Sequence, residues 1–160
     1  VYKDTNGIVS ESENFEINPA KKALLDFENL FLSSDKFKTT VIRFSGLLGG
    51  TRNPGNFFKS DRIVQNGLAP INLIHRDDCI AIVERIIELD LWDEVFNASA
   101  DTHPTRKEFY TAATLQQGKE PAKFIENEDY SFKIISSEKL KKRLNYSFIH
   151  PNLMEMLKHF

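Results

Sequence analysis

Apolar and polar positions along the chain change period several times, and each change marks a predicted element. After Asn18-Pro19, a cap residue followed by a first-turn proline, Ala20, Ala23, Leu24, Phe27, Leu30 and Phe31 recur at helical spacing. This predicts a helix from Pro19 to about Leu32 with one core-facing stripe. Lys38 to Phe44 is rich in β-branched residues and reads as a buried strand. Asn56 to Asn66, closed by Gly67, reads as a helix, and Ile71 to Ile74 as a short strand. Asp77 or Asp78 caps the next helix, with Cys79, Ile80, Val83, Ile86 and Ile87 expected to face inward. Val95 to Ala98 is strand-like. Thr105-Arg106-Lys107-Glu108 is a capping box for a helix through Gln117 that Gly118 ends. A strand at Phe132 to Ile135, a helix from Ser137 to Leu144 and a last helix from Pro151 complete the pattern, while Lys3 to Glu16 is polar and turn-rich.

Strands alternating with helices of this length imply βαβ crossovers and a parallel sheet covered on both faces. The second half is more polar and richer in short helices. The reading is one compact α/β unit without a linker, residues 1–98 forming the sheet side and residues 99–160 a mainly helical lobe.

Composition narrows the partners. Of 160 residues, 41% are hydrophobic and 28% charged, enough for a single core. Basic and acidic side chains number 21 and 23, a net charge of −2 that gives no electrostatic reason to expect nucleic acid or an anionic membrane. The densest basic run, Lys139 to Arg143, reads as a solvated helix face. A single cysteine, Cys79, excludes an internal disulfide and a cysteine metal cluster and fits a reducing cytoplasm. No apolar run approaches the length of a membrane span. The chain opens at Val1-Tyr2 without Met, as if entered at the tail of a strand, which reads as a fragment, a processed product or a chain that lost its leader.

The stretch Val41-Ile42-Arg43-Phe44-Ser45-Gly46-Leu47-Leu48-Gly49-Gly50 carries a β-rich segment into glycines, the arrangement that can deliver a backbone to a phosphate. Its spacing is neither G-x-G-x-x-G nor G-x-x-x-x-G-K-[ST], and Pro54-Gly55 intervenes before the next apolar run. No glycine turn opens directly into a helix, so phosphate binding of the dinucleotide type is not expected of this chain.

Taken in order, Val1-Tyr2-Lys3-Asp4, Val41 to Gly49, Asn72-Leu73-Ile74-His75-Arg76-Asp77-Asp78, Val95 to Ser99 and Thr105 to Phe109 resemble the C-terminal half of the NAD-dependent epimerase/dehydratase family, in particular its atypical extended short-chain dehydrogenases. The resemblance runs from Val1 to about Tyr146. It implies the C-terminal part of a Rossmann-like parallel sheet with a small, mostly helical substrate lobe, the cofactor-binding N-terminal half being absent. It implies NAD or NADP for the complete protein, weak or no binding by this chain alone, a small polar or nucleotide-sugar-like substrate, no metal, and a homodimer as the oligomer to test for.

In the family the loop after Phe44 lies beside the nicotinamide and the substrate; here Leu48 stands for its usual Tyr and Gly50 for its usual Pro. By that resemblance Phe44, Ser45 and Gly46 are cofactor contacts, and Tyr2, Leu47 and Arg52 substrate contacts. The glycines then serve close backbone approach and positive φ; an ordinary turn without a ligand is the alternative. For Arg52, recognition of an anion stands against pairing with a carboxylate such as Asp61.

The family's proton chemistry uses a Tyr and a Lys four residues apart on one helix face, where the ammonium lowers the phenol pKa. One register places Ala20 and Leu24 there, another Asn18 and Lys22, and neither gives the pair, so catalytic residues stay unassigned. Lys21 and Lys22 read as surface residues. Two function classes remain: an enzyme of this type with an altered mechanism, or a binding or regulatory protein that kept the fold. Among other polar groups, His75 with Asp77 and Asp78 reads as capping rather than as a metal or acid–base cluster. His103 reads as a loop residue, Phe109 and Tyr110 as core, and His150 and His159 have no partner by spacing.

Overall fold

A computed structural model describes residues 2–13, 15, 18–58, 62–127 and 129–160; Val1, Glu16 and Asp61 lie outside the described residues. In chain order the elements are β1 (Gly7–Val9), α1 (Pro19–Leu32), β2 (Val41–Phe44), β3 (Gly46–Leu48), β4 (Ile63–Gln65), β5 (Leu73–His75), α2 (Arg76–Glu88), β6 (Val95–Ala98), α3 (Arg106–Gln116), β7 (Lys123–Ile125), β8 (Lys133–Ile135), α4 (Glu138–Leu144) and α5 (Leu153–Met156). The strands form parallel pairs, β2 with β6, β3 with β5, β1 with β8 and β4 with β7. The expected α/β architecture with parallel strands is therefore present. Two of the pairs, β1–β8 and β4–β7, join the chain before residue 98 to the chain after it.

Strand β5 divides the interior. Leu73 packs with Leu48, Phe109, Leu153 and Met156 in one cluster, whereas its neighbour Ile74 packs with Ile82, Ile86, Phe96, Leu140 and Leu144 in another. Successive side chains of a strand point to opposite faces, so one three-residue strand anchors both cores.

Local chemistry sets the boundaries of α1 and α3. Asn18 caps α1 by accepting from the Lys21 backbone N–H, and Pro19 occupies the first turn. Thr105 and Glu108 close a reciprocal capping box on α3, and Gly118, at φ +66°, follows its end.

Four expectations are corrected. The apolar stripe of α1 does not face a core: no residue of that helix is buried, and Leu24 is 57% and Phe27 62% exposed. In α2, Ile86 is buried and Cys79 packs on the core as expected, but Ile80, Val83 and Ile87 are exposed, and Asp78 and Ile82 complete the inward face. Both sets recur at helical spacing, so periodicity alone does not choose between them. The helix expected over Asn56–Asn66 is not formed by the described residues of that stretch: a single 3₁₀ turn covers Pro54–Asn56 and Ile63–Gln65 is strand β4, paired along Lys123–Ile125. Pairing with a strand about sixty residues away is a tertiary contact that local propensity does not encode. Finally, the cap of α2 is His75, whose ring accepts from the Asp77 N–H, rather than either aspartate.

Candidate functional site

Strand β2 ends at Phe44, and its carboxyl end opens on a cleft of about 410 Å³ lined by Tyr2, Arg43, Phe44, Ser45, Gly46, Asn72, Asn97, Lys133 and Ile135. Ligand sites of open α/β sheets lie at this edge of the strands. The register of β2 on β6 sets Arg43 beside Asn97 and Phe44 beside Ala98, and the Ser45 N–H continues the ladder to the Ala98 carbonyl.

One polar chain organises the floor. Arg43 lays its guanidinium on Glu28 of α1, Nε donating to both carboxylate oxygens at 3.1 Å and Nη2 to Oε2 at 2.5 Å. Its Nη1 donates to the Tyr2 hydroxyl at 2.6 Å, which in turn donates to Asn97 Oδ1 at 2.8 Å. Burial pushes the Tyr2 phenol above its ordinary value, against the pull of Arg43 and Asn97. Tyr2 is thus a neutral, fixed donor, and its environment does not make it a phenolate base.

Two cleft residues carry buried polar atoms with no hydrogen-bond partner among the described residues, Ser45 Oγ and Asn97 Nδ2. A buried donor left unpaired costs about 1–3 kcal/mol. Asn72 closes the opposite wall, donating to the Lys133 carbonyl at 2.9 Å and accepting from the Ile135 N–H at 2.7 Å.

The structure gathers Tyr2, Phe44, Ser45 and Gly46 in this cleft. Leu47 and Arg52 are not among its lining residues. Arg52 turns back on its own loop, Nε donating to the Leu47 carbonyl at 2.7 Å and the guanidinium lying 5.1 Å over the Phe57 ring; its alternative partner Asp61 lies outside the described residues. Arg43, Asn72 and Asn97 were missed by sequence reasoning. Arg43 and Asn97 are central residues of strand-like runs, and only the pairing of β2 with β6 shows that they share a site.

The glycines have separate tasks. Gly49 and Gly50 adopt φ of +104° and +60°. A β-carbon on Gly49 would lie 2.7 Å from His75 Nε2, and one on Gly50 2.7 Å from Arg76 Nη1. The turn thus wraps the start of α2. Among the described residues no helix is long and apolar enough to cross a membrane.

No family model matches the chain. Protein YeeZ of Escherichia coli strain K12 is 26% identical over 158 residues, 98% of this chain and 57% of that protein. The chain thus spans somewhat over half the length of the curated relative it matches. The human epimerase family protein SDR39U1, solved with NADPH, superposes with a TM-score of 0.76 at 16% identity, over 99% of this chain and 61% of that one. The dTDP-glucose 4,6-dehydratase of Bacillus anthracis str. Ames, solved with NAD, superposes with a TM-score of 0.72 at 16% identity, over 95% of this chain and 55% of that one. The chain has the Rossmann-like fold of the NAD-dependent epimerases and dehydratases and corresponds to the C-terminal portion of those proteins.

Proposed function

We propose that this chain is the substrate-side portion of an NAD(P)-dependent epimerase/dehydratase-like protein acting on a nucleotide-sugar-like or other small polar substrate, cytoplasmic and lacking the usual Tyr-x-x-x-Lys pair. The observation that carries it is the cleft at the end of β2, where Ser45 Oγ and Asn97 Nδ2 are buried with no partner among the described residues. These atoms, with the backbone of Phe44, Ser45 and Gly46, suit the polar edge of a nicotinamide or of a substrate. When bound, the cofactor would supply hydride chemistry. The chain's own part is to position, through the Arg43–Tyr2–Asn97 series, and to exclude water. Arg52, at the end of the same loop, carries the planar, always-charged fork suited to an anionic substrate group.

A second reading, a ligand-binding protein without turnover, is favoured by α1. Positions 20 and 24 are an exposed Ala and Leu, and Lys22 pairs at 2.5 Å with Asp26. In either case the acidic residue and glycine turn of a dinucleotide site are not in this sequence, so the chain alone should bind NADH and NADPH only weakly.

Titration followed by backbone NMR tests this, with NADH, NADPH and a uridine diphosphate sugar. The expected result is millimolar binding with shifts confined to Tyr2, Ser45, Gly46 and Asn97, lost in Asn97→Ala. Shifts centred elsewhere, or micromolar cofactor affinity for the isolated chain, would overturn the assignment.

A further inference from the structure

Outside the cleft, one group of side chains converges with no side-chain-to-side-chain hydrogen bond within it among the described residues, the Asp77 backbone N–H alone reaching His75 Nδ1, at 3.3 Å. His75 at the end of β5, Asp77 in the first turn of α2 and His150 in the loop before α5 bring their ligand atoms within 4.8 Å of one another. The Asp77 carboxylate is divided. Oδ1 takes the Arg76 guanidinium, Nη2 at 3.2 Å, whereas Oδ2 faces both imidazoles, His75 Nδ1 at 3.5 Å and His150 Nε2 at 3.8 Å. Both latter distances exceed the roughly 2.7–3.2 Å of a protein N–H···O hydrogen bond. A metal bonded to N and O at about 2.0–2.2 Å sets adjacent tetrahedral ligands about 3.3–3.6 Å apart; the His75 distance falls in that range, and that of His150 needs a shift of about 0.2 Å to reach it.

The surroundings hold these donors in place. Asp78 is fully buried and accepts from the Ile149 and His150 N–H groups at 2.6 and 3.1 Å, which fixes the loop that carries the His150 ring. The His75 ring is seated on Gly49 and lies 4.1 Å, centroid to centroid, from that of His150. A third imidazole, His159, is 5.6 Å from His150. The Asp77 side chain is 43% exposed, which leaves a path for an ion from solvent. Capping explains His75 alone; it explains neither the approach of His150 nor the orientation of Asp77 Oδ2.

We infer that His75, Asp77 and His150 form a divalent transition-metal site of the zinc class, with a fourth position open to water or to His159. Two neutral imidazoles and one carboxylate are borderline donors that favour Zn²⁺ or Co²⁺ over Ca²⁺ or Mg²⁺. The ion would take the His75 Nδ1 lone pair in place of the long, 3.3 Å bond from the Asp77 N–H, and would tie the β5–α2 junction to the C-terminal segment beside the Asp78 hydrogen bonds and the packing of Leu73 on Leu153.

The test is titration of the chelator-treated 160-residue chain with Co²⁺ and Zn²⁺, followed by visible absorption, calorimetry and thermal melting. The expected result is one ion per chain, d–d bands of a four- or five-coordinate site and a raised Tm. Asp77→Asn and His150→Gln alter partly exposed side chains, and circular dichroism verifies their folds; each should weaken binding by about tenfold or more and abolish the Tm increase. Absence of saturable uptake up to millimolar Co²⁺ in the folded wild-type chain overturns the inference. So does equal affinity in both variants, or a loss seen only in His159→Ala, which would place the ion at the chain terminus.

Discussion

Adjacent aspartates at the start of α2 do opposite work. Asp77 is half-buried, whereas Asp78 is fully buried and accepts from the Tyr146 hydroxyl at 2.7 Å as well as from two backbone N–H groups. Burial and the hydrogen bond to this carboxylate hold the Tyr146 phenol well above its ordinary pKa, so it remains a donor. Asp78→Ala strands a hydroxyl and two amides together, and should destabilise the chain by about 2–4 kcal/mol, whereas Asp77→Ala should change stability by less than about 1 kcal/mol. Urea denaturation of the two variants decides the point; equal effects would sink this division of roles. From sequence the pair is indistinguishable, because both residues satisfy the first-turn preference for acids and the loop that selects Asp78 lies seventy positions on. His150 was unreadable for the same reason: its spacing to His75 has meaning only once that loop is latched.

The elements most legible in the sequence are those whose ends are chemical. The caps of α1 and α3 are read directly from Asn18-Pro19 and from Thr105 with Glu108, and the structure places both helices within a residue or two of the expected limits. Which face a helix buries is less legible, since α1 and α2 each carry apolar residues on the exposed side. Strand β4 was hidden because Ile63-Val64-Gln65 is too short to show a period of its own. The difference in burial makes a testable contrast. Ile82 is 0% exposed in the cluster formed with Ile74, Phe96 and Leu140, so Ile82→Ala should cost about 2–5 kcal/mol through the cavity it leaves. Leu24→Ala should cost less than about 0.5 kcal/mol in this chain, because Leu24 is 57% exposed. A loss of several kcal/mol at Leu24 would show that the α1 stripe is covered in solution, by a second copy of the chain in the simplest case.

At the scale of the whole molecule, stability should be graded from α1 to the two cores. Strands β5 and β6 and helix α2 contribute Ile74, Phe96, Ala98, Ile82 and Ile86 to a cluster sealed by Leu140 and Leu144. No residue of helix α1 is buried, and a tie to the rest is the Glu28 carboxylate gripped by Arg43 through Nε and Nη2. That ion pair is itself sheltered, its side chains being 13% and 16% exposed, so it is worth more than a surface pair. Segments with few buried apolar contacts open at low free energy, while core elements open only with global unfolding. Native-state hydrogen exchange should therefore show α1 amides exchanging well ahead of those in β5, β6 and α2. Arg43→Ala should accelerate α1 further while leaving α2 nearly unchanged. Because Arg43 also lines the cleft, the same variant joins the two questions: loss of Glu28 frees α1, and loss of the Nη1 donor leaves the Tyr2 hydroxyl with Asn97 alone. Equal protection of α1 and α2 in the isolated chain would contradict this order. Protection of α1 that rises with protein concentration would instead identify its apolar stripe, with the exposed Leu24, Phe27 and Leu30, as a contact between copies.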